Sequence, residues 1–147
     1  MLSNKAKYGM KAMLYLAEQT TPQPVGVLAI AENQHIPKKF LDSILLELRN
    51  NGLLQSRKGR GGGYRLALEP SEISVGRVIR VLDGPLAPIR CASKTAYRPC
   101  TDCTDVKACR TRQVMQRVRD AMADILDHTT LADVMHDAEG APLEPVG

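Results

Sequence analysis

The stretch Arg57-Lys58-Gly59-Arg60-Gly61-Gly62-Gly63-Tyr64-Arg65-Leu66 is a cationic, glycine-rich tip running into an apolar-alternating segment. Leu53-Leu54-Gln55-Ser56 before the tip and Tyr64-Arg65-Leu66-Ala67-Leu68 after its glycines have strand spacing and composition, so the whole predicts a β-hairpin. Glycine runs also build nucleotide phosphate loops. Here the Gly-Lys-Ser/Thr ending is missing and the next segment reads as strand rather than helix, which counts against that chemistry. A plain flexible hairpin turn is the simpler alternative, and only the surroundings of the hairpin decide between the two.

Upstream, three helices are expected. Ile36-Pro37 opens the third with proline in its first turn, and Leu41, Ile44, Leu45 and Leu48 share one face before Asn50-Asn51-Gly52 ends it. A short helix over Val27–Asn33 is expected to bury Leu28 and Ile30 or Ala31, with Gln34-His35 as the turn that follows. The first helix, Asn4–Gln19, spaces Ala6, Met10, Met13, Leu14 and Ala17 helically, with Ser3 as N-cap, and Thr20-Thr21-Pro22-Gln23-Pro24 breaks it.

Three short helices and then a two-stranded hairpin with a basic tip is the winged-helix order. The expected fold class is mainly α with a small β-hairpin wing, a winged helix-turn-helix followed by a long C-terminal dimerisation helix. A helix fits the major groove, and a basic hairpin beside it can grip phosphates or probe the minor groove. Lys38 and Lys39 begin the third helix, where recognition-helix side chains reach bases and backbone, and Ser43 follows one turn on. Arg57, Lys58 and Arg60 on the wing supply counterion-releasing phosphate contacts. Lysines at a helix start are common on any surface, so their weight comes from the wing beside them.

Downstream, Glu69-Pro70 closes the hairpin. Ser74 caps a fourth helix bearing Val75, Val78, Ile79 and Leu82, which Asp83-Gly84-Pro85 stops. Residues 85–109 hold three prolines and no clear period, and are expected to form a loop. A long helix is expected from about Val106 to Asp127, with Val114, Val118, Ala121 and Ile125 forming a seam for a partner helix and Met115, Met122 and Leu126 widening it. Leu131, Val134 and Met135 are expected to add a last short turn or helix, and the acidic tail from Asp137 is expected to be disordered. The implied division is a DNA-binding domain over 1–84, a cysteine-rich loop over 85–109, a dimerisation helix and end segment over 106–135, and a tail over 136–147.

Charge follows the same division. Residues 1–68 carry ten Lys/Arg against four Asp/Glu, and residues 69–147 carry ten against twelve. A basic half points to an anionic partner, of which nucleic acid is the commonest, although a solvated basic face gives the same count. With four Tyr, one Phe and no Trp, the core has to be built from aliphatic side chains, which suits helices. The apolar stretch Met10–Ala17 is interrupted by Lys11 and has no cleavage site, so a cytoplasmic protein with no membrane partner is expected.

All four cysteines fall within nineteen residues, spaced Cys91-x8-Cys100-x2-Cys103-x5-Cys109. In a reducing compartment such clustering points to a metal site or redox chemistry rather than a disulfide framework. Four thiolates suit an iron–sulfur cluster or one tetrahedral zinc. A thiol–disulfide switch, or no function at all, also fits the spacing. Arg90, Lys94, Arg98, Lys107 and Arg110 favour thiolates, and Asp102 and Asp105 oppose them. His35, His128 and His136 are scattered and read as surface or core residues.

The run Asn50-Asn51-Gly52-Leu53-Leu54 with the wing that follows resembles the IscR/NsrR/RirA-type (Rrf-type) bacterial transcription regulators. Lys7-Tyr8-Gly9-Met10-Lys11-Ala12-Met13-Leu14-Tyr15-Leu16-Ala17, Ile73-Ser74-Val75-Gly76-Arg77-Val78-Ile79 and Thr130-Leu131-Ala132-Asp133-Val134 resemble that family too. The resemblance covers roughly residues 1–135. It implies a homodimer on a near-palindromic double-stranded DNA operator, with long helices crossing between subunits. It also implies an iron–sulfur cluster, 2Fe-2S or 4Fe-4S, held by three loop cysteines and a fourth, non-cysteine ligand. Cys91 matches the family's first cysteine and Cys103-x5-Cys109 its closing pair, so Cys100 is extra. Arg112 stands where some members place a histidine, and Lys7 where others place a carboxylate. Cys100 is therefore the expected fourth ligand, unless one iron keeps an open position. The implied signals are iron, iron–sulfur status, nitric oxide or redox state.

Two other classes compete. A redox or metal-carrying enzyme lacks any placed catalytic dyad, and Cys100-x2-Cys103 sits in a proline-bearing loop rather than at a strand–helix junction. A zinc-stabilised interaction module with a basic face for acidic proteins would lack salt-sensitive, sequence-selective duplex binding.

Overall fold

The computed structural model describes residues 2–138. Six helices and one hairpin follow in the order α1 (Asn4–Ala17), α2 (Val27–Gln34), α3 (Lys38–Asn50), β1 (Leu54–Arg57), β2 (Gly63–Leu66), α4 (Val75–Asp83), α5 (Arg110–Asp127) and α6 (Leu131–Ala138). The chain is mainly helical with a β-hairpin wing, as the sequence implies. Among the described residues no helix is long and apolar enough to cross a membrane.

Local chemistry sets most boundaries. The Ser3 hydroxyl accepts from the Ala6 amide at 3.0 Å and caps α1, and Ser74 does the same for α4 through Arg77 at 3.1 Å. Pro37 is the N-cap of α3 rather than a residue of its first turn, because its extended backbone precedes the first helical residue. His35 closes α2 in the left-handed conformation, φ 54°, which turns the chain from α2 into α3.

The core is the stripe the spacing predicts. Leu41, Ile44, Leu45 and Leu48 on α3 pack with Ala6, Ala12 and Met13 of α1 and with Ile30, Val78 and Leu82. Of the two outcomes expected on α2, Ile30 and Ala31 are both buried, while Leu28 is 59% exposed. The correction has a simple cause. An eight-residue helix lying on α3 covers little more than one side of itself, and Leu28 stands two positions from Ile30, on another face.

In the hairpin, Leu54 faces Leu66 and Arg57 faces Gly63 in antiparallel register. Val25, just before α2, exchanges two backbone hydrogen bonds with Tyr64, each 2.8 Å, and so adds a third edge that the sequence does not announce. Leu53 lies outside the strand but is fully buried, and Ala67 donates to its carbonyl at 3.0 Å.

The C-terminal part departs further from expectation. The long helix starts at Arg110, not Val106, because Cys109 occupies its N-cap. Its end returns to the first domain. The Val75 amide donates to Thr129 and the Leu131 amide to Ile73, at 2.8 and 3.0 Å, and Leu131 is fully buried in the core. Of the last short turn or helix expected there, the chain forms a helix of eight residues. It includes residues 136–138, which were expected in the tail, and the rest of that tail lies outside the described residues.

Candidate nucleic-acid interface and cysteine loop

The six residues predicted to meet DNA are all exposed: Lys38, Lys39 and Ser43 on α3, and Arg57, Lys58 and Arg60 on or beside the wing. Their roles differ in detail. Lys38 pairs with Asp42 one turn on at 2.9 Å, and the Ser43 hydroxyl donates to the Phe40 carbonyl at 2.9 Å. Lys39 and the three wing cations have no ion pair among the described residues, and a cation of that kind can neutralise a phosphate without first breaking a bond. The wing is fastened to the helix it accompanies, since the Arg49 guanidinium of α3 donates to Ser56 of β1 at 3.3 Å. Gly63 is required at the wing's base. Its φ is 150°, and a Cβ there would lie 2.1 Å from the Val25 carbonyl oxygen.

Phe40 is 61% exposed on the first turn of α3, beside Lys39. Sequence reasoning passed over it, although a large aromatic off the Leu41/Ile44/Leu45/Leu48 stripe was the signal. An exposed ring there can make apolar contact with a thymine methyl.

The cysteines sit in the loop between α4 and α5. Cys91 is buried in a 3-10 turn, Arg90–Ala92, and Cys100 is exposed, while Cys103 and Cys109 are intermediate. Hydrogen bonding by Cys91, and then its charge, raises the Cys100 pKa above the ordinary thiol value. Cys109 caps α5, its sulfur accepting from the Arg112 amide at 3.4 Å. Among the described residues no three His, Cys, Asp or Glu side chains converge as a metal site. The loop thus has the thiol chemistry that a soft metal or cluster needs, but among the described residues it does not gather three thiols at one point.

Two arginines tie this loop to α5. Arg112 Nε donates to the Cys91 carbonyl at 2.8 Å, and its guanidinium lies 6.0 Å from the Tyr97 ring centroid. Arg119, two turns on, donates to the Ala92 carbonyl and pairs with Asp120, whose pKa is lowered first by that hydrogen bond. With only 11% of its side chain exposed, Arg119 is the more enclosed partner. Its i, i+7 spacing from Arg112 was the available signal, and sequence reasoning did not use it.

The rest of α5 has no buried residue. Val114, Val118 and Ile125 are 51%, 39% and 64% exposed, so the predicted seam is formed but uncovered.

The profile of the Rrf2 family, described as an iron-dependent transcriptional regulator, matches residues 2–137. The chain belongs to the Rrf2 family. An rrf2-like HTH-type transcriptional regulator of Rhodobacter capsulatus is 41% identical over 145 residues, 97% of this chain and 95% of that one. Among solved Rrf2-type structures, T. potens IscR superposes with a TM-score of 0.75 at 34% identity, covering 99% of this chain and 93% of IscR. CymR (YrzC), the global cysteine regulator of B. subtilis, gives 0.73 at 34% identity over 91% and 95%. Rrf2 relatives are transcription regulators with a winged-helix fold, not enzymes. That removes the redox-enzyme class and makes DNA-binding regulation the function of this chain as well.

Proposed function

We propose that this Rrf2 regulator acts as a homodimer on a near-palindromic operator and reports iron, iron–sulfur status, nitric oxide or redox state through an iron–sulfur cluster held by Cys91, Cys100, Cys103 and Cys109. In this reading Lys38, Lys39 and Ser43 work in the major groove, and Arg57, Lys58 and Arg60 hold phosphates. The division into a DNA-binding domain over 1–84, a cluster loop over 85–109 and a dimerisation segment over 106–135 belongs to the same proposal.

One observation carries it. All four thiols lie in the loop that Arg112 and Arg119 fasten to α5, the helix whose apolar seam is uncovered in one chain. A second copy covering Val114, Val118 and Ile125 would remove that apolar area from water, at roughly 25 cal/mol per Å². Any change at the cysteines then bears on the helix that spaces two recognition helices, a population shift between operator-competent and incompetent dimers. When bound, a cluster would supply one-electron redox chemistry and reactivity toward oxygen and nitric oxide.

Anaerobic purification with a visible spectrum and iron, sulfide and zinc counts tests this. Brown protein containing sulfide, whose holo and apo forms differ at least tenfold in operator affinity (about 1.4 kcal/mol), is the expected result. Colourless protein with one zinc per chain would replace the cluster with zinc and leave the DNA-binding function standing.

A further inference from the structure

The segment after α4 closes on a single carbonyl. The Ser93 and Arg98 amides both donate to the Arg90 carbonyl, at 3.2 and 3.3 Å, which draws the three residues together. All three line one cavity of about 420 Å³, whose apolar wall includes Pro88 and Ile89. Both arginines are exposed, and among the described residues neither guanidinium has an ion pair. Ser93, 8% exposed, is the one buried polar residue among those described. Its hydroxyl accepts from the Ala96 amide at 3.0 Å, and among the described residues it donates to no acceptor. A hydroxyl has a hydrogen to give as well as lone pairs, so a buried one with its hydrogen unspent calls for a partner. Asp83 also lines the cavity, but its carboxylate is engaged, accepting from the Ser3 amide and hydroxyl.

We propose that Arg90, Ser93 and Arg98 form a binding site for a small organic phosphate monoester. Arginine pairs with phosphate through two parallel N–H···O bonds, and two unpaired guanidinium groups on one cavity suit a dianion. The Ser93 hydroxyl is a further donor, which favours a group with three terminal oxygens over a carboxylate with two. The cavity is larger than a bare oxyanion fills and lies within the range of small-molecule pockets, about 300–1,000 Å³. The wall at Pro88 and Ile89 therefore takes the apolar body of the ligand. Bound there, the ligand bridges Arg90 and Arg98 at the two ends of the closed segment. It thereby braces the loop that Arg112 and Arg119 tie to α5. The site uses no cysteine and does not depend on a cluster.

Isothermal titration calorimetry of the full-length protein with phenyl phosphate, inorganic phosphate and benzoate tests the site. Phenyl phosphate is expected to bind once per chain. It should bind more tightly than inorganic phosphate, which lacks the apolar body, and than benzoate, which lacks the third oxygen. Arg90→Gln and Arg98→Gln should each weaken it by about tenfold or more, and Ser93→Ala by less. Arg98→Lys keeps the charge without the fork and should recover part of the loss, which separates a lost contact from a damaged fold. The chain carrying Arg57→Ala, Lys58→Ala and Arg60→Ala together should bind phenyl phosphate as the unmutated chain does. No binding, undiminished affinity in both glutamine variants, loss in the wing variant, or either reference ligand binding as tightly as phenyl phosphate would overturn the assignment.

Discussion

Arg80 on α4 grips both carboxylate oxygens of Asp127 at the end of α5, with Nη2 to Oδ2 at 2.9 Å. The pair fastens the long helix to the DNA-binding domain at one end, as Arg112 and Arg119 fasten the cysteine loop near the other. Gly76 allows the approach, since a Cβ there would lie 2.2 Å from Asp127 Oδ1.

A pH dependence follows from this pair. The Arg80 hydrogen bond, and then its charge, hold the Asp127 carboxyl below its usual range. A carboxylate with a lowered folded-state pKa contributes stability that is present above the unfolded value, about 3.9, and is lost as pH falls through the folded value. Both side chains are more than a third exposed, so solvent screening limits the contribution to about 0.2–1 kcal/mol. Chemical denaturation should find Asp127→Asn less stable by that amount at neutral pH and equal to the unmutated chain in strong acid. A difference independent of pH would show that packing, not charge, holds this contact.

The wing glycines should separate conformational strain from collision. Gly61 has φ 70° with open space around it, so Gly61→Ala carries only the left-handed penalty, about 1 kcal/mol. Gly63→Ala adds a collision with the Val25 backbone and should cost a further 1–3 kcal/mol or so. Thermal melts of the two variants should rank them in that order. Gly63→Ala should also weaken duplex binding, although it removes no charge.

Neutralising the wing should change the salt dependence of binding. Arg57→Ala, Lys58→Ala and Arg60→Ala are each expected to reduce the slope of log affinity against log salt by about 0.9 per lost phosphate contact, equally for all sequences. Phe40→Ala should instead relax preference at one base step and leave the slope unchanged. Fluorescence anisotropy over a salt series, with matched and scrambled duplexes, distinguishes the two patterns.

His35 offers a stabilising change. A residue with a side chain in the left-handed region carries roughly 1–2 kcal/mol of strain, which glycine avoids at some cost in unfolded-chain entropy. His35→Gly should therefore stabilise by roughly 0.5–1 kcal/mol in a denaturant titration, with no change in oligomeric state. A loss of stability would mean that the imidazole makes a contact outweighing the strain.

Elements whose causes are local are legible in the residue order. The stripe Leu41, Ile44, Leu45, Leu48, the caps Ser3 and Ser74, and the glycine-rich tip each act within a few residues, so spacing alone places the winged helix. The tertiary structure decided what depends on distant partners. Val25 pairs with Tyr64 and Leu131 enters the core because chain segments far apart in sequence meet, and no local pattern encodes such meetings. Cysteine spacing gathers four thiols without saying which are neighbours. In the fold Cys91 is buried in a short turn, Cys100 is exposed, and α5 takes Cys109 as its cap.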